Sequence, residues 1–236
     1  MFAAPQSRSC LLAAIVLLAS PLPLAIAETV EVAPGVSVTK KSFPAPPNQQ
    51  PFFGFVEPSP QMRAANAQFV ASVQEVTGSR QQAFAEASER AWQAFFSGDY
   101  PLATRRFNQA YLLDPTQSSV FHGLGLIAFE RFHDPEFAEE LLKVARTASN
   151  PSALLNADYG RFLLVNERPQ DAEPVLEQAV IDAPDFPSAW SNLAWARYHN
   201  GDISGACTAL SKAEQLSPAG NVRSDVNLLR GQTDCS

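Results

Sequence analysis

The chain has 236 residues, enough for one domain of ordinary size together with a tail. Its hydrophobic content of 46% is typical of a globular protein, whereas its charged content of 17% is low. The formal net charge is -7, and no dense cluster of Lys and Arg is present. These values argue against a nucleic-acid partner, because an acidic surface repels phosphates.

The first residues are typical of a secretory signal peptide. Arg8 gives a weakly basic start, an apolar run follows from Leu11 to Ser20, and Ala25-Ile26-Ala27 is a small-x-small cleavage site. We therefore predict a signal peptide over residues 1–27 and a periplasmic or secreted mature protein that begins at Glu28. The apolar run is too short for a comfortable membrane span, and no other stretch is apolar enough for one, so no span is expected after cleavage. An uncleaved anchor is the alternative.

Residues 28–60 are predicted to form a proline-rich extended arm. Seven prolines exclude a helix or a central strand here. The alternation on both sides of Pro34-Gly35 also allows a small hairpin. An aromatic patch, Phe52, Phe53 and Phe55, is conspicuous within this arm. We favour packing of the patch on the same chain, for example on the helix that follows. The alternatives are that it occupies a binding groove in cis, or stays disordered until a partner binds.

Apolar residues recur at helical spacing from Met62 onward. Phe69, Val73 and their neighbours predict a helix that Gly78 ends. We assign residues 61–83 to an N-terminal capping helix.

An internal period is the strongest signal in the sequence. Ala103, Ala138, Ala172 and Ala206 recur at intervals of 35, 34 and 34 residues. Small residues where two helices cross let their backbones approach, and a proline after the second helix forces a turn. The other repeated positions are Ala91, Gly125, Gly160 and Ala194; Phe107, Leu142, Leu176 and Leu210; Ala110, Ala145, Ala179 and Ala213; and Pro115, Pro151, Pro184 and Pro218.

This pattern resembles the tetratricopeptide repeat, whose 34-residue unit is a pair of antiparallel helices. The resemblance implies an all-α fold: a right-handed superhelical array of about four helix pairs with capping helices and an extended N-terminal arm. One residue is inserted near His133 in the second unit. With its export signal, the chain is similar to exported bacterial members of the family. The predicted segments are residues 84–117, 118–152, 153–186 and 187–218 for the repeats, and 219–236 for a C-terminal capping helix and tail.

The resemblance also implies a concave groove lined by the first helix of each unit, where family members usually hold peptide segments. The corresponding positions here are aromatic or mildly polar, and a Lys/Arg/Asn clamp for a terminal carboxylate is not expected. The aromatic members have an alternative role in packing against neighbouring helices. The predicted groove residues are Trp92, Phe96, His122, Leu126, Phe129, Asp158, Arg161, Asn192, Trp195, Tyr198 and His199.

Cys207 and Cys235 are the two cysteines that remain after the predicted cleavage. An antiparallel return of the final helix brings their neighbourhoods together, and exported proteins mature in an oxidising compartment. We predict a disulfide that fastens the C-terminal cap; two free thiols are the alternative. The final helix is expected to face the last repeat through Val226, Leu228 and Leu229.

No arrangement in the sequence is typical of catalysis or metal binding. His122 and His199 are separated by a whole unit, and His133 lies in a turn, whereas a metal site needs several converging ligands. No Gly-x-Ser-x-Gly elbow and no Gly-rich phosphate loop are found. We therefore expect no enzyme activity, no metal and no cofactor.

Together these features favour a non-catalytic scaffold or adaptor in the cell envelope. It would bind an extended protein or peptide segment and associate with a membrane complex. The alternatives are an accessory subunit of an envelope enzyme or of a secretion or polysaccharide-export complex, and a degenerate hydrolase-associated protein. Self-association through an uncapped face is a further alternative.

Overall fold

The computed structural model describes residues 28–235, and the predicted signal peptide and its cleavage site lie outside this range. Within it, an antiparallel hairpin precedes ten helices. The strands are Thr29–Ala33 (β1) and Val36–Thr39 (β2). The helices are Pro60–Thr77 (α1), Arg80–Phe96 (α2), Tyr100–Leu113 (α3), Ser118–Glu130 (α4), Pro135–Thr147 (α5), Leu155–Val165 (α6), Pro169–Asp182 (α7), Pro187–His199 (α8), Ile203–Gln215 (α9) and Gly220–Gln232 (α10).

Eight of these helices form four antiparallel pairs, α2 with α3, α4 with α5, α6 with α7 and α8 with α9. We call the first member of each pair an A helix and the second a B helix. A helices pack on one another, α2 on α4 and α6 on α8. The fold is therefore the all-α superhelical array that the repeat predicted. The first helices of the pairs begin at Arg80, Ser118, Leu155 and Pro187, whereas the predicted units begin at residues 84, 118, 153 and 187.

The turn between the two helices of each pair has one left-handed residue. Gly98, His133, Glu167 and Gly201 occupy this position, with φ of 80°, 54°, 58° and 85°. The following residue caps the B helix, and in three of the four turns that residue is an aspartate that accepts a backbone N–H bond. The second turn spans residues 131–134, one more than the others, which is the predicted insertion.

Glycines inside the A helices allow the B helices to approach. A Cβ added at Gly123 would lie 2.1 Å from Cζ of Phe107, whose side chain is fully buried. A Cβ at Gly160 would lie 2.3 Å from Cδ2 of Leu176. These two glycines are therefore required by packing rather than by backbone conformation.

Gly123→Ala is expected to lower the free energy of unfolding by about 2 kcal/mol, because the Phe107 ring has no free space to move into. Gly231→Ala in α10 is the matched control, since no atom lies within 4 Å of its added Cβ. There the better helix propensity of alanine should stabilise by up to about 1 kcal/mol. Urea unfolding followed by circular dichroism measures both. Equal effects would contradict the packing role of Gly123.

The proline-rich arm packs along the B helices α3 and α5, on the layer opposite the A helices. After the hairpin come two short turns, Pro47–Gln49 and Pro51–Phe55. The Tyr111 hydroxyl donates to the Val32 carbonyl at 2.6 Å, and the Asn108 amide donates to the Gln50 carbonyl at 2.8 Å. The arm thus has more regular structure than the predicted extended segment, because its backbone groups find partners within the hairpin and on α3.

The aromatic patch of the arm packs on α3, α4 and α5. Phe52 is 5% exposed, and its ring centroid lies 5.3 Å from that of Tyr111 and 6.0 Å from that of Phe121. The Phe55 ring lies 6.3 Å from that of Phe137. Packing on the same chain, which we favoured, is therefore observed, although the site is the helix pairs rather than the capping helix.

Both ends of the array carry a capping helix. At the N-terminal end α1 packs on α2, but Val76 near its end is 87% exposed. At the C-terminal end α10 packs on α8 and α9 through Val226 and Leu229, which are buried. Leu228 is 56% exposed, so the expectation that it faces the last repeat is wrong. Two residues beyond Val226, it lies about 200° further round the helix.

The disulfide between Cys207 and Cys235 is present, with Cα atoms 5.4 Å apart. Cys207 lies in α9, and Cys235 follows the end of α10. The bond therefore joins the last repeat to the far end of the capping helix, as predicted.

A carboxylate links the second and third helix pairs. Glu139 of α5 accepts hydrogen bonds from Arg168 at 2.7 Å and from the Tyr159 hydroxyl at 3.1 Å, and it pairs with Lys143 at 2.8 Å. Burial opposes the ionisation of Glu139, but the hydrogen bonds from Arg168, Lys143 and Tyr159 outweigh it and lower its pKa from 4.5 to about 2. The Glu139 carboxylate therefore remains ionised well into the acid range.

The stability of the fold is expected to decrease as the pH falls from about 4.5 towards 2. Because the pKa of Glu139 is lower in the folded state, its stabilisation is complete above the unfolded pKa. It is lost as the pH falls through the folded value. Glu139→Gln should remove this part of the pH dependence, and Glu75→Gln on the exposed surface of α1 should not. Urea midpoints at pH 6 and pH 2.5 would test this. An unchanged acid dependence in Glu139→Gln would contradict it.

Candidate functional site

All of the predicted groove residues lie on A helices, but their exposure differs widely. Phe96 is 77% exposed, whereas His122 and Asn192 are only 2% and 4% exposed. The predicted set therefore contains two kinds of residue: side chains that line the A-helix face and side chains that hold the A helices together beneath it.

Trp92 combines both roles at the N-terminal end of this face. Its indole N–H donates to Ser119 Oγ of α4 at 2.9 Å, and its ring meets that of the buried Phe107 edge-on at 5.1 Å. The exposed Phe96 ring stacks on it at 5.7 Å. Trp92 therefore packs between neighbouring helices, which was the alternative role for the aromatic residues. It also supports the exposed ring of Phe96.

His122 and Asp158 join the second and third pairs. His122 Nε2 lies 2.9 Å from Asp158 Oδ2, so α4 and α6 are bridged across the face. The rings of Phe129 and Phe162 add an edge-on contact at 5.1 Å between the same two helices. His122 Nδ1 is buried and has no hydrogen-bond partner among residues 28–235. His122 and Phe129 therefore act mainly between repeats.

The C-terminal half of the face contains two small adjacent cavities of about 160 and 170 Å³, between α6, α8 and α10. Arg161, Asn192 and Asp225 belong to the walls of both. The first is otherwise lined by Leu164, Val165, Trp195 and His199. The second is otherwise lined by Asp158, Phe186, Ser188, Ser191, Asn221 and Val222.

Helix α10 contributes residues to this face that the sequence prediction did not include. Asp225 Oδ2 lies 3.5 Å from Nη1 of Arg161, so the capping helix reaches across α8 to α6. We had assigned α10 only to capping. The sequence spacing could have indicated this position for Asp225. It lies three residues after Val222 and next to Val226, on the side of α10 that faces the array.

The last residue of each A helix forms a rim along the face. Phe96 and Val165 are 77% and 55% exposed, and Glu130 and His199 are also exposed. Tyr198 lies just inside the rim, with its ring 5.9 Å from that of Trp195. Leu126, at the position equivalent to Trp92, is half-buried. This rim is thus apolar at the first and third repeats, Phe96 and Val165, and polar at the second and fourth.

Within residues 28–235, no three His, Cys, Asp or Glu side chains are grouped so that they could hold a metal ion. In the same range, no helix has the length and hydropathy needed to cross a membrane.

The chain is similar to several solved structures in fold. PilF from Pseudomonas aeruginosa has 20% sequence identity and a TM-score of 0.57, over 65% of this chain and 70% of that one. MamA from Desulfovibrio magneticus RS-1 has 18% identity and a TM-score of 0.51, over 67% and 88%. YrrB, described as a TPR protein with an unusual peptide-binding site, has 16% identity and a TM-score of 0.51, over 70% and 82%. A comparison with curated sequences finds no match.

A comparison of the sequence with protein-family models gives evidence for the repeat that does not depend on the structure. The tetratricopeptide repeat model matches residues 160–221, which include most of the third pair and all of the fourth. The structural matches cover a larger part of the array. The family match thus covers residues 160–221, and the structural similarity extends the resemblance to tetratricopeptide repeats over more of the array.

Proposed function

We propose that this protein is a non-catalytic scaffold or adaptor of the cell envelope that binds an extended peptide or protein segment on its A-helix face. The fold itself suggests a protein-protein interaction module. The finer statement, that the ligand is a peptide and that the A-helix face is its site, is the proposal.

The observation that carries this proposal is the exposure of large apolar side chains on the groove rim. Phe96 is 77% exposed and Val165 is 55% exposed, and both are at the ends of A helices. Exposed aromatic and aliphatic side chains next to small pockets are typical anchors in protein interfaces. The B-helix face of the first two pairs is covered by the arm, so in these two pairs the A-helix face is the more accessible one. A peptide-binding site is described for YrrB, so a peptide is the ligand class to test first.

The envelope location follows from the predicted signal peptide and is supported by the disulfide. Disulfides persist in oxidising compartments such as the periplasm and are rare in the cytosol. We place the mature protein in the periplasm or outside the cell, where it would act as part of a membrane-associated complex. Fractionation of cells, followed by N-terminal sequencing of the mature chain, tests this location; a cytosolic chain that retains residues 1–27 would refute it.

Affinity capture from the native envelope tests the groove. The mature protein and a Phe96→Ser/Val165→Ser variant are immobilised in parallel, and the bound proteins are quantified by mass spectrometry. Both side chains are exposed, so their replacement should leave the fold intact while removing the two anchors. We expect the variant to lose the specific partner.

Ile181→Ser is the matched control for this capture. Ile181 is 71% exposed but lies on the B helix α7, on the opposite layer. This variant should retain the partner. Equal capture by the rim variant and the native protein, with unchanged circular dichroism, would refute the A-helix face as the binding site.

A further inference from the structure

The two adjacent cavities at the C-terminal end of the groove differ in chemistry. The first has an apolar wall formed by Leu164, Val165 and Trp195. The second is polar, and two carboxylates, those of Asp158 and Asp225, are part of its lining. At about 160 and 170 Å³ each, both are smaller than the roughly 300–1,000 Å³ of pockets for drug-sized ligands. Each therefore suits a single side chain of a larger ligand.

The polar cavity has more negative than positive charge. Asp158 and Asp225 face it together with one cation, Arg161. Arg161 is weakly held, because its side chain is 57% exposed and its contact with Asp225 is 3.5 Å, at the outer limit of a hydrogen bond. Exposed ion pairs of this kind are easily exchanged. A cationic group from a ligand can therefore take the place of Arg161 beside Asp225.

Partly unsatisfied polar groups surround the same cavity. Ser191 lines it and is 2% exposed, and its Oγ is buried without a hydrogen-bond partner among the described residues. Asp158 uses one oxygen for His122, and its side chain is 37% exposed, so the carboxylate is accessible to a ligand. The buried Ser191 Oγ without a partner is unfavourable, so a donor placed beside it would be stabilised. An ammonium or guanidinium group supplies several N–H donors and a positive charge.

We propose that this end of the groove recognises a basic side chain, Lys or Arg, next to an apolar side chain in an extended partner segment. This inference rests on the proposed function and specifies the chemistry of its ligand. The basic group lies between Asp158 and Asp225, and the apolar side chain fills the cavity against Val165 and Trp195. Because Asp225 comes from α10, the capping helix is also a wall of the binding site. A carboxylate in the same cavity would face two like charges and only one cation, Arg161, which disfavours the terminal-carboxylate mode of binding here.

The probe for this inference is a library of random dodecapeptides displayed on phage and selected against the mature, disulfide-bonded protein. Selected peptides should be enriched in Lys or Arg beside Leu, Val, Phe or Trp. For the tightest peptide, replacing its basic residue by Gln should weaken binding about tenfold, the size typical of a charge-assisted contact. The same replacement should have almost no effect on binding to the Asp225→Asn variant, because the partner of that charge has been removed.

Asp185→Asn provides the matched control, because Asp185 is exposed in the turn before α8 and lines neither cavity. It carries the same change of charge and should leave the tenfold difference intact. Asp158→Asn is a second test variant on the other side of the cavity. Thermal unfolding of each variant establishes that it is folded before binding is measured.

The outcomes separate this inference from the proposed function. Peptides without a basic residue whose binding is lost in Phe96→Ser/Val165→Ser would overturn the inference and leave the groove in place. Both proposals would be overturned if the selected peptides bound the Phe96→Ser/Val165→Ser variant and the Asp225→Asn variant with the same affinity as the native protein. A library that yields no binder would also overturn both.

Discussion

Replacing Phe52 by alanine is expected to lower the free energy of unfolding by about 3–5 kcal/mol. Phe52 is 5% exposed and is surrounded by the rings of Phe55, Tyr111 and Phe121, at centroid distances of 5.5, 5.3 and 6.0 Å. It anchors the arm, so its removal leaves a cavity and frees the covering segment. Denaturant unfolding followed by circular dichroism measures the change.

The backbone around Phe52 explains why the cost should be large. Phe52, Phe53 and Phe55 have φ of 51°, 55° and 56°, in the left-handed region. Each non-glycine residue there costs roughly 1–2 kcal/mol, so the turn persists only because Phe52 is buried and Phe55 packs on Phe137. Phe52→Ala keeps the strained backbone and removes the contacts that offset it.

Phe96→Ala is the control for Phe52→Ala, because it deletes the same atoms at a position that is 77% exposed. Its cost should be less than about 1 kcal/mol. If the two variants were equally stable, the arm would not be packed on α3 and α5 in solution.

The second large effect is expected for the Cys207→Ser/Cys235→Ser variant. The disulfide closes a loop across a sequence separation of 28 residues, and opening it should cost about 3–4 kcal/mol by the loop-entropy model. The loss should appear first in α10, whose attachment otherwise depends on Val226, Leu229 and a few polar contacts. Denaturant unfolding measures the loss of global stability, and hydrogen exchange of the α10 amides measures the local loss.

Reduction of the native protein is the matched control for this variant. Treatment with dithiothreitol should destabilise the native protein to the level of the double variant and have no effect on the variant itself. Two free thiols in the exported protein, found by non-reducing mass spectrometry, would refute the disulfide.

These two anchors are at opposite ends of the array and have consequences for the groove. The arm holds the first two pairs from the B-helix side, and the disulfide holds α10, which supplies Asp225. Between them, His122 with Asp158 and the Glu139 contacts join the second pair to the third. The A-helix face is therefore supported from three places, and loss of the disulfide should also weaken the binding of any ligand that contacts Asp225 as proposed.

The helix pairs could be predicted because their determinants are local and repeated. Alanines such as Ala138 and Ala172, the turn prolines and the inserted residue near His133 recur at a fixed period, so four copies reinforce one signal. The same period placed all the predicted groove residues on A helices. The prediction for Leu228 was wrong because three apolar residues in one short helix do not determine which side of that helix faces the array.

The sequence alone determined the all-α array of helix pairs and the position of the predicted groove residues on A helices, and it predicted the pairing of Cys207 with Cys235 that the structure contains. Only the tertiary structure decided where the arm packs, which of these residues are buried and that α10 brings Asp225 next to Arg161. The physical reason is distance along the chain. The contacts of Phe52 with Tyr111 and of Arg161 with Asp225 join residues about 60 positions apart, without a repeating pattern to reveal them. Such contacts depend on how the pairs stack, and stacking is settled by the summed packing of the whole array.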